Sequence, residues 1–212
     1  MNDKINFLLV GVGGQGTILA SDVLVNVGLS AGLQAKQAEV HGLSQRGGSV
    51  TSYVRWGQVV YSPLVGAGEA NVYLAFEKLE ALRHLNKIQP GALAVINQEA
   101  ILPMSLISGD QTYPDDEYIR SKVSQVTQQA VFIDAAGVAE NLGNIRVANI
   151  VLLGALSVLL QNRKLEGMNL TPDVWLEVIA HRIPPKYVDV NKQAFQSGRE
   201  VVAAMSLRDN NV

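Results

Sequence analysis

The stretch Phe7-Leu8-Leu9-Val10-Gly11-Val12-Gly13-Gly14-Gln15-Gly16-Thr17 constrains this chain more than any other. An apolar run breaks into four glycines within six residues and then enters a helical pattern, which predicts strand, tight turn and helix in that order. Gly11, Gly13 and Gly16 fit G-x-G-x-x-G, in which glycines let the backbone turn sharply, approach a phosphate and pack the new helix on the strand. Amides at a helix N-terminus attract anions, because unsatisfied N–H groups and the helix dipole point outward there. Gly11, Gly13, Gly14, Gln15, Gly16 and Thr17 are therefore candidate binding residues. A tight turn that binds nothing fits the same residues.

Beyond this loop, Ala20, Val23, Leu24 and Val27 put an apolar stripe on one helix face, and Leu33 to Val40 reads as a second strand. The opening is thus expected to be a βαβ unit with a right-handed crossover. The polar loop His41-Gly42-Leu43-Ser44-Gln45-Arg46-Gly47-Gly48 comes next. Val50 to Trp56 alternates with period two, and Gly57-Gln58 predicts a hairpin turn from which Val59 to Tyr61 returns as the partner strand. Asn71 to Phe76, Ala92 to Ile96 and Val131 to Asp134 are predicted strands, the last of them central, with helix starts at Glu77 and at Pro114 to Glu117. Residues 98 to 130 otherwise read as short elements or an insertion. Arg146 to Asn162, Pro172 to Arg182 and Lys186 to Met205 read as helices. The expected fold is α/β: a Rossmann-like open sheet opening with a βαβ unit, with a β-hairpin and a helical C-terminal part. One domain is expected over residues 1–206, followed by a polar tail at 207–212.

Among 212 residues there is no cysteine, so the chain forms no disulfide and supplies no thiolate to an iron–sulfur cluster. Three histidines, His41, His84 and His181, are too dispersed for a metal-ligand pattern, and no metal site is expected. A formal net charge of −2 gives no drive toward nucleic acid or acidic membranes. The longest apolar segment, Ile150 to Leu160, is shorter than the roughly 20 residues that cross a bilayer, and the N-terminus lacks the pattern of a secretory signal. A cytoplasmic protein without nucleic-acid or membrane partners is expected.

The second loop makes Ser44, Gln45, Arg46, Gly47 and Gly48 candidates alongside the first. Arg46 has the planar fork that pairs with phosphate or carboxylate, although satisfying loop carbonyls would equally occupy it. Glu39, at a strand end, is the nearest candidate for a ribose-binding acid. His41 reads as a hydrogen-bonding loop residue, Asn149 as a buried tie to neighbouring backbone, and Asp134 as a helix cap. Glu77 and Glu80 read as a solvated helix start. No Ser/His/Asp grouping, carboxylate pair or lysine in an apolar pocket names a catalyst.

Taken together, the two glycine motifs in this order, Asn149 with Gly154, and Asn191-Lys192-Gln193-Ala194-Phe195 with Gly198 resemble the gamma-type domain of 2-oxoacid:ferredoxin oxidoreductases over about residues 5 to 200. The length resembles that of the small beta subunit of the indolepyruvate-type enzymes. One departure is Asn71, where many members of the family have aspartate. The resemblance implies a thiamine diphosphate and Mg2+ site and iron–sulfur clusters in a large partner subunit, ferredoxin as electron acceptor, and a 2-oxoacid and CoA as substrates. This chain would complete the active-site cleft and contribute to CoA binding. Two other readings stay open: an NAD(P)-binding Rossmann oxidoreductase, and a non-catalytic nucleotide-binding or scaffold protein.

Overall fold

In the strand β1 (Lys4–Val12), residues Ile5 to Val12 are all buried, so both faces of this strand must be covered. The covering is divided by the two-residue period: Phe7 and Leu9 enter one apolar cluster, Leu8 and Val10 the other. A computed structural model describes residues 4–41, 48–103, 112–162 and 170–209. These form a six-stranded sheet in the order β2-β3-β1-β4-β5-β6, where β2 is Gln34–His41, β3 Ser49–Gly57, β4 Ala70–Ala75, β5 Ile88–Asn97 and β6 Ala130–Ile133.

The helix α1 (Thr17–Ser30) links β1 to β2, but the βαβ unit is split. β3 lies between the two strands and is antiparallel to both. The hairpin of the fold is therefore β2–β3, not a pair closed at Gly57-Gln58. Gly57 is paired with Lys4 on one side and Gln34 on the other, so β3 has no free edge to offer Val59 to Tyr61. That segment runs irregularly beside β2, where Val60 N donates to Gln34 Oε1 at 2.9 Å and Tyr61 is 86% exposed. β6 pairs with β5 alone among the described strands and ends the sheet, so the strand expected to be central is an edge.

On one face lie α1 and the helical part of the chain: α4 (Ala135–Asn141), α5 (Ala148–Asn162), α6 (Pro172–Arg182) and α7 (Val188–Asp209). On the other lie α2 (Lys78–Arg83) and α3 (Asp116–Ser124). Asp115 caps α3 by accepting from Tyr118 N at 2.7 Å, so that helix starts where its acidic signal does. α7 runs through Asp209, into the stretch expected to be a tail.

α5 is the helix whose apolarity demands a cover, and the chain's own core supplies it: Ile150 to Leu153, Ala155 and Leu156 are all 0% exposed. It crosses α7 closely because both carry glycine at the crossing. A Cβ on Gly154 would stand 2.0 Å from Phe195 O, and one on Gly198 1.9 Å from Val151 O. Backbone carbonyls cannot swing aside as side chains can. Gly198→Ala should therefore cost about 3 kcal/mol or more, and Leu153→Asp about 4 kcal/mol or more, when the full chain is unfolded in urea. A wild-type midpoint for either variant would mean that α5 and α7 do not cross this way.

Candidate functional site

Where β1 ends, the backbone must leave the sheet and enter α1 within a few residues. Gly14 with φ +107° and Gly16 with φ +78° make this reversal in conformations that side chains rarely adopt. Gly11 meets a different need: a Cβ there would lie 2.8 Å from Gln15 Oε1 and 2.9 Å from Phe76 Cβ. The space next to Gly11 is filled by Gln15, whose Oε1 accepts from Val12 N at 2.7 Å while Nε2 donates to Phe76 O at 2.9 Å and to Glu99 Oε2 at 3.1 Å. Gln15 is thus part of the loop's internal scaffold.

Two amides of this loop are also spent internally. Gln15 N donates to Val12 O at 3.2 Å, and Gly13 N donates to Gly48 O at 3.0 Å. The second bond joins the two glycine motifs, since Gly48 closes the second one. Ser44, Gln45, Arg46 and Gly47 lie outside the described residues, as does the side chain of His41. Gly14 is exposed and an added Cβ would meet nothing within 4 Å, so it faces open space. Thr17 is buried at the start of α1.

Asn149 is the buried tie that its position suggests. Its Nδ2 donates to Gly16 O at 3.3 Å and its Oδ1 accepts from Ile150 N at 2.9 Å, binding the loop to α5. Asp134 caps α4 through Gly137 N at 2.9 Å. Asn71 Oδ1 receives Asn6 N at 2.8 Å, which a carboxamide does without charge. Glu39 lies on β2, two strands from β1 and so roughly 10 Å away at ordinary strand spacing. That placement separates it from the glycine loop.

A cleft of about 380 Å3 opens at the carboxyl end of the parallel strands, bounded by Gly14 to Gly16, Phe76, Asn97, Glu99 and the start of α5. Its place follows the rule for open α/β sheets, because β1 and β4 are neighbours whose chains continue toward opposite sides of the sheet. A second cleft of about 490 Å3 borders it, with Leu19 and Arg146 lining both. In the second cleft Arg182 is held by Asp22 through two bonds, Nε to Oδ2 at 2.5 Å and Nη2 to Oδ1 at 2.8 Å. Arg146 is exposed and has no acidic partner among the described residues. Sequence reading missed Arg146 as a site residue, since its only signal was a lone arginine before an apolar helix.

Glu99 was missed as well. It accepts from Gln15 Nε2 and from Asn97 Nδ2 at 3.2 Å, yet burial raises its pKa, with smaller contributions from Glu77 and Asp134 acting against those hydrogen bonds. Glu77 and Glu80 are not solvated, each being 1% exposed. Glu77 caps α2 through Glu80 N at 2.8 Å, while its other oxygen takes Ile101 N at 3.1 Å and the Tyr113 hydroxyl. Glu80 accepts from Ser49 Oγ and from Arg83 Nη1, each at 2.5 Å. Burial would raise the Glu80 pKa, but hydrogen bonds from His84, Ser49 and Arg83 outweigh it and hold the carboxyl below its ordinary value. Short-range sequence patterns place these acids on a helix start but do not show what closes over them.

A protein-family model described as pyruvate ferredoxin/flavodoxin oxidoreductase matches residues 6–201. The chain belongs to this family. The indolepyruvate oxidoreductase subunit IorB of Thermococcus kodakarensis is 39% identical over 203 residues, covering 95% of this chain and 98% of that one. In fold, the family member is similar to a keto/oxoacid ferredoxin oxidoreductase gamma subunit from Geobacter sulfurreducens, with a TM-score of 0.67, 22% identity, and coverage of 94% of this chain and 99% of that one. It is also similar to part of a 2-oxoglutarate:ferredoxin oxidoreductase from Magnetococcus marinus, with a TM-score of 0.70 and 21% identity, covering 96% of this chain and 32% of that longer one. Among the described residues, no group of three or more His, Cys, Asp and Glu side chains could hold a metal ion, and no helix is long and apolar enough to cross a membrane.

Glu99 gives a pH test of the cleft. Its folded pKa lies above the unfolded one, so the protonated form favours folding and that contribution is lost as pH rises through the folded pKa. Glu99→Gln is neutral and can accept the same bonds. It should melt above wild type at neutral pH and level with it below about pH 4, where an ordinary glutamate is protonated. Thermal melts across that range check the sign, and a variant less stable than wild type at neutral pH would contradict it.

Proposed function

We propose that this chain is the small, cluster-free subunit of a thiamine-dependent 2-oxoacid ferredoxin oxidoreductase, with indolepyruvate or another arylpyruvate as the oxoacid. In that reaction the 2-oxoacid loses CO2, oxidation of the remaining acyl fragment passes two electrons to ferredoxin, and the acyl group is transferred to the thiol of CoA, whose proton is released. The observation that carries the reading is the full-length likeness to an indolepyruvate oxidoreductase subunit, joined to a cleft lined by the first glycine motif, whose Gly13 is bonded to Gly48 of the second. The nicotinamide and scaffold alternatives are not favoured: relatives that match nearly their whole length are oxidoreductase subunits, and Glu39 lies on the wrong strand to serve the glycine loop.

Thiamine diphosphate with Mg2+ and the iron–sulfur clusters belong, in this reading, to a large partner subunit. The residues present here do not fit them, because the chain has no cysteine and its described acids form no metal-binding group. What this chain contributes is binding. The two clefts that share Leu19 and Arg146 offer an elongated CoA apolar walls, a polar group at Glu99, and an uncompensated guanidinium for a phosphate. Arg46 and the glycine-loop residues Gly13, Gly14, Gly16 and Thr17 remain assigned to the same ligand. The spent amides of Gly13 and Gln15 shift the larger part of anion recognition to the arginines. A cytoplasmic location goes with ferredoxin as the acceptor.

Purified from its native source, the chain should bring down a large subunit carrying iron and thiamine, and alone it should show no oxoacid decarboxylation. Activity of the isolated chain with added thiamine diphosphate and an electron acceptor would sink the subunit reading. In the assembled enzyme, Arg146→Gln and Arg46→Lys should each raise KM for CoA by the equivalent of about 1–3 kcal/mol while leaving the melting temperature in place. A normal KM for CoA in both variants would remove CoA from this site.

A further inference from the structure

α2 needs only one capping side chain, yet two carboxylates are buried at its start, the N-cap Glu77 and Glu80 in the first turn. Glu77 does the capping. Burying Glu80 as well costs free energy unless its oxygens are fully hydrogen-bonded, so its partners show what the burial secures. One partner, Arg83, is on the same helix three residues on, and His84 Nε2 stands 3.5 Å away at the helix end. The remaining partner, Ser49, is on another element. Its Oγ donates to Glu80 Oε2 at 2.5 Å and also lies 3.4 Å from His84 Nε2.

Ser49 is the first residue of β3 and is registered opposite Val12, the last residue of β1. The carbonyl of the residue before it, Gly48, accepts the Gly13 amide. A connected path therefore runs from the Glu80 carboxylate through Ser49 Oγ and the Gly48–Ser49 peptide to Gly13, and so to the loop that bounds the cleft. We infer that Glu80 is a positioning residue for the glycine loop: by holding Ser49 it fixes the Gly48 carbonyl against Gly13 and sets the loop for ligand without touching ligand itself. The inference rests on the CoA reading only for the identity of that ligand.

The test uses the full chain and three variants, with amide hydrogen exchange followed residue by residue and CoA as the probe. Ser49→Ala leaves Glu80 its Arg83 and His84 partners, so it keeps the carboxylate paired and the fold intact. It should speed exchange of the Gly13 amide by about ten-fold or more while the amides of Leu8 and Leu9 stay protected as in wild type. The CoA dissociation constant should rise by a comparable factor, with the melting temperature lowered by no more than the loss of one hydrogen bond to a buried carboxylate. Ser49→Thr retains a hydroxyl and should restore both readings. Glu80→Leu, which accepts no hydrogen bond from Ser49, should act like Ser49→Ala at Gly13. Unaltered Gly13 exchange in Ser49→Ala overturns the inference, as does acceleration shared by all β1 amides or an unchanged CoA affinity beside fast Gly13 exchange. If the wild-type chain itself does not bind CoA, the CoA reading fails, and the exchange data alone decide the positioning role.

Discussion

β1 pairs with β3 along one edge and with β4 along the other, and both of its faces are buried in apolar clusters. A strand so enclosed can present function only at its ends, and the end that counts is the carboxyl one, where the sheet changes direction. The loop leaving Val12 is consequently held by everything that encloses the strand. Gln15 ties it to Phe76 beyond β4, Asn149 ties it to α5, and Gly48 ties it to the start of β3. A cleft with three such anchors is preorganised at the cost of its own amides.

That exchange changes what the glycine motif means in this chain. In a dinucleotide fold the glycines bring bare backbone to a pyrophosphate. Here Gly11 makes room for Gln15, Gly16 makes room for Asn149, and Gly13 reaches across to the second motif. Glu99 then lines the same cleft with its carboxyl pushed toward the neutral form by burial. Such a wall suits the amide groups of a long ligand better than its phosphates, while Arg146, exposed and unpaired among the described residues, suits the reverse.

The two buried glutamates of α2 extend the same logic to the far face of the sheet. Glu77 fixes Ile101, two residues after Glu99, together with Tyr113, and Glu80 fixes Ser49, the residue after the second glycine motif. The segment that follows Glu99 and the strand that follows the second glycine motif thus lean on one short helix whose acidic side chains were expected in water. Acids in a helix's first turn are ordinary capping residues by composition, so burial could be recognised only from the elements packed over them.

Much of the chain was legible because its signals are local. Strand, turn and helix at residues 4 to 30, the helix from Pro172 to Arg182, the helix start at Pro114 to Glu117 and the cap at Asp134 follow from side-chain period, capping chemistry and glycine placement within short windows, while Asn149 with Gly154 and Asn191 to Phe195 with Gly198 were legible only through the resemblance they carry. Strand partners are not local properties. The split of the βαβ unit by β3, the missing return strand at Val59 to Tyr61 and the edge position of β6 depend on which hydrogen-bonding edges remain free once the sheet has assembled, and period-two alternation carries no information about that. The site divides in the same way. Residue type and order marked the glycine loop, while only tertiary packing decided that Gln15 fills it, that Glu99 and Arg146 line the cleft beside it, and that Glu80 is buried against Ser49. Those roles arise from contacts across tens of residues of chain, which no spacing within the sequence encodes.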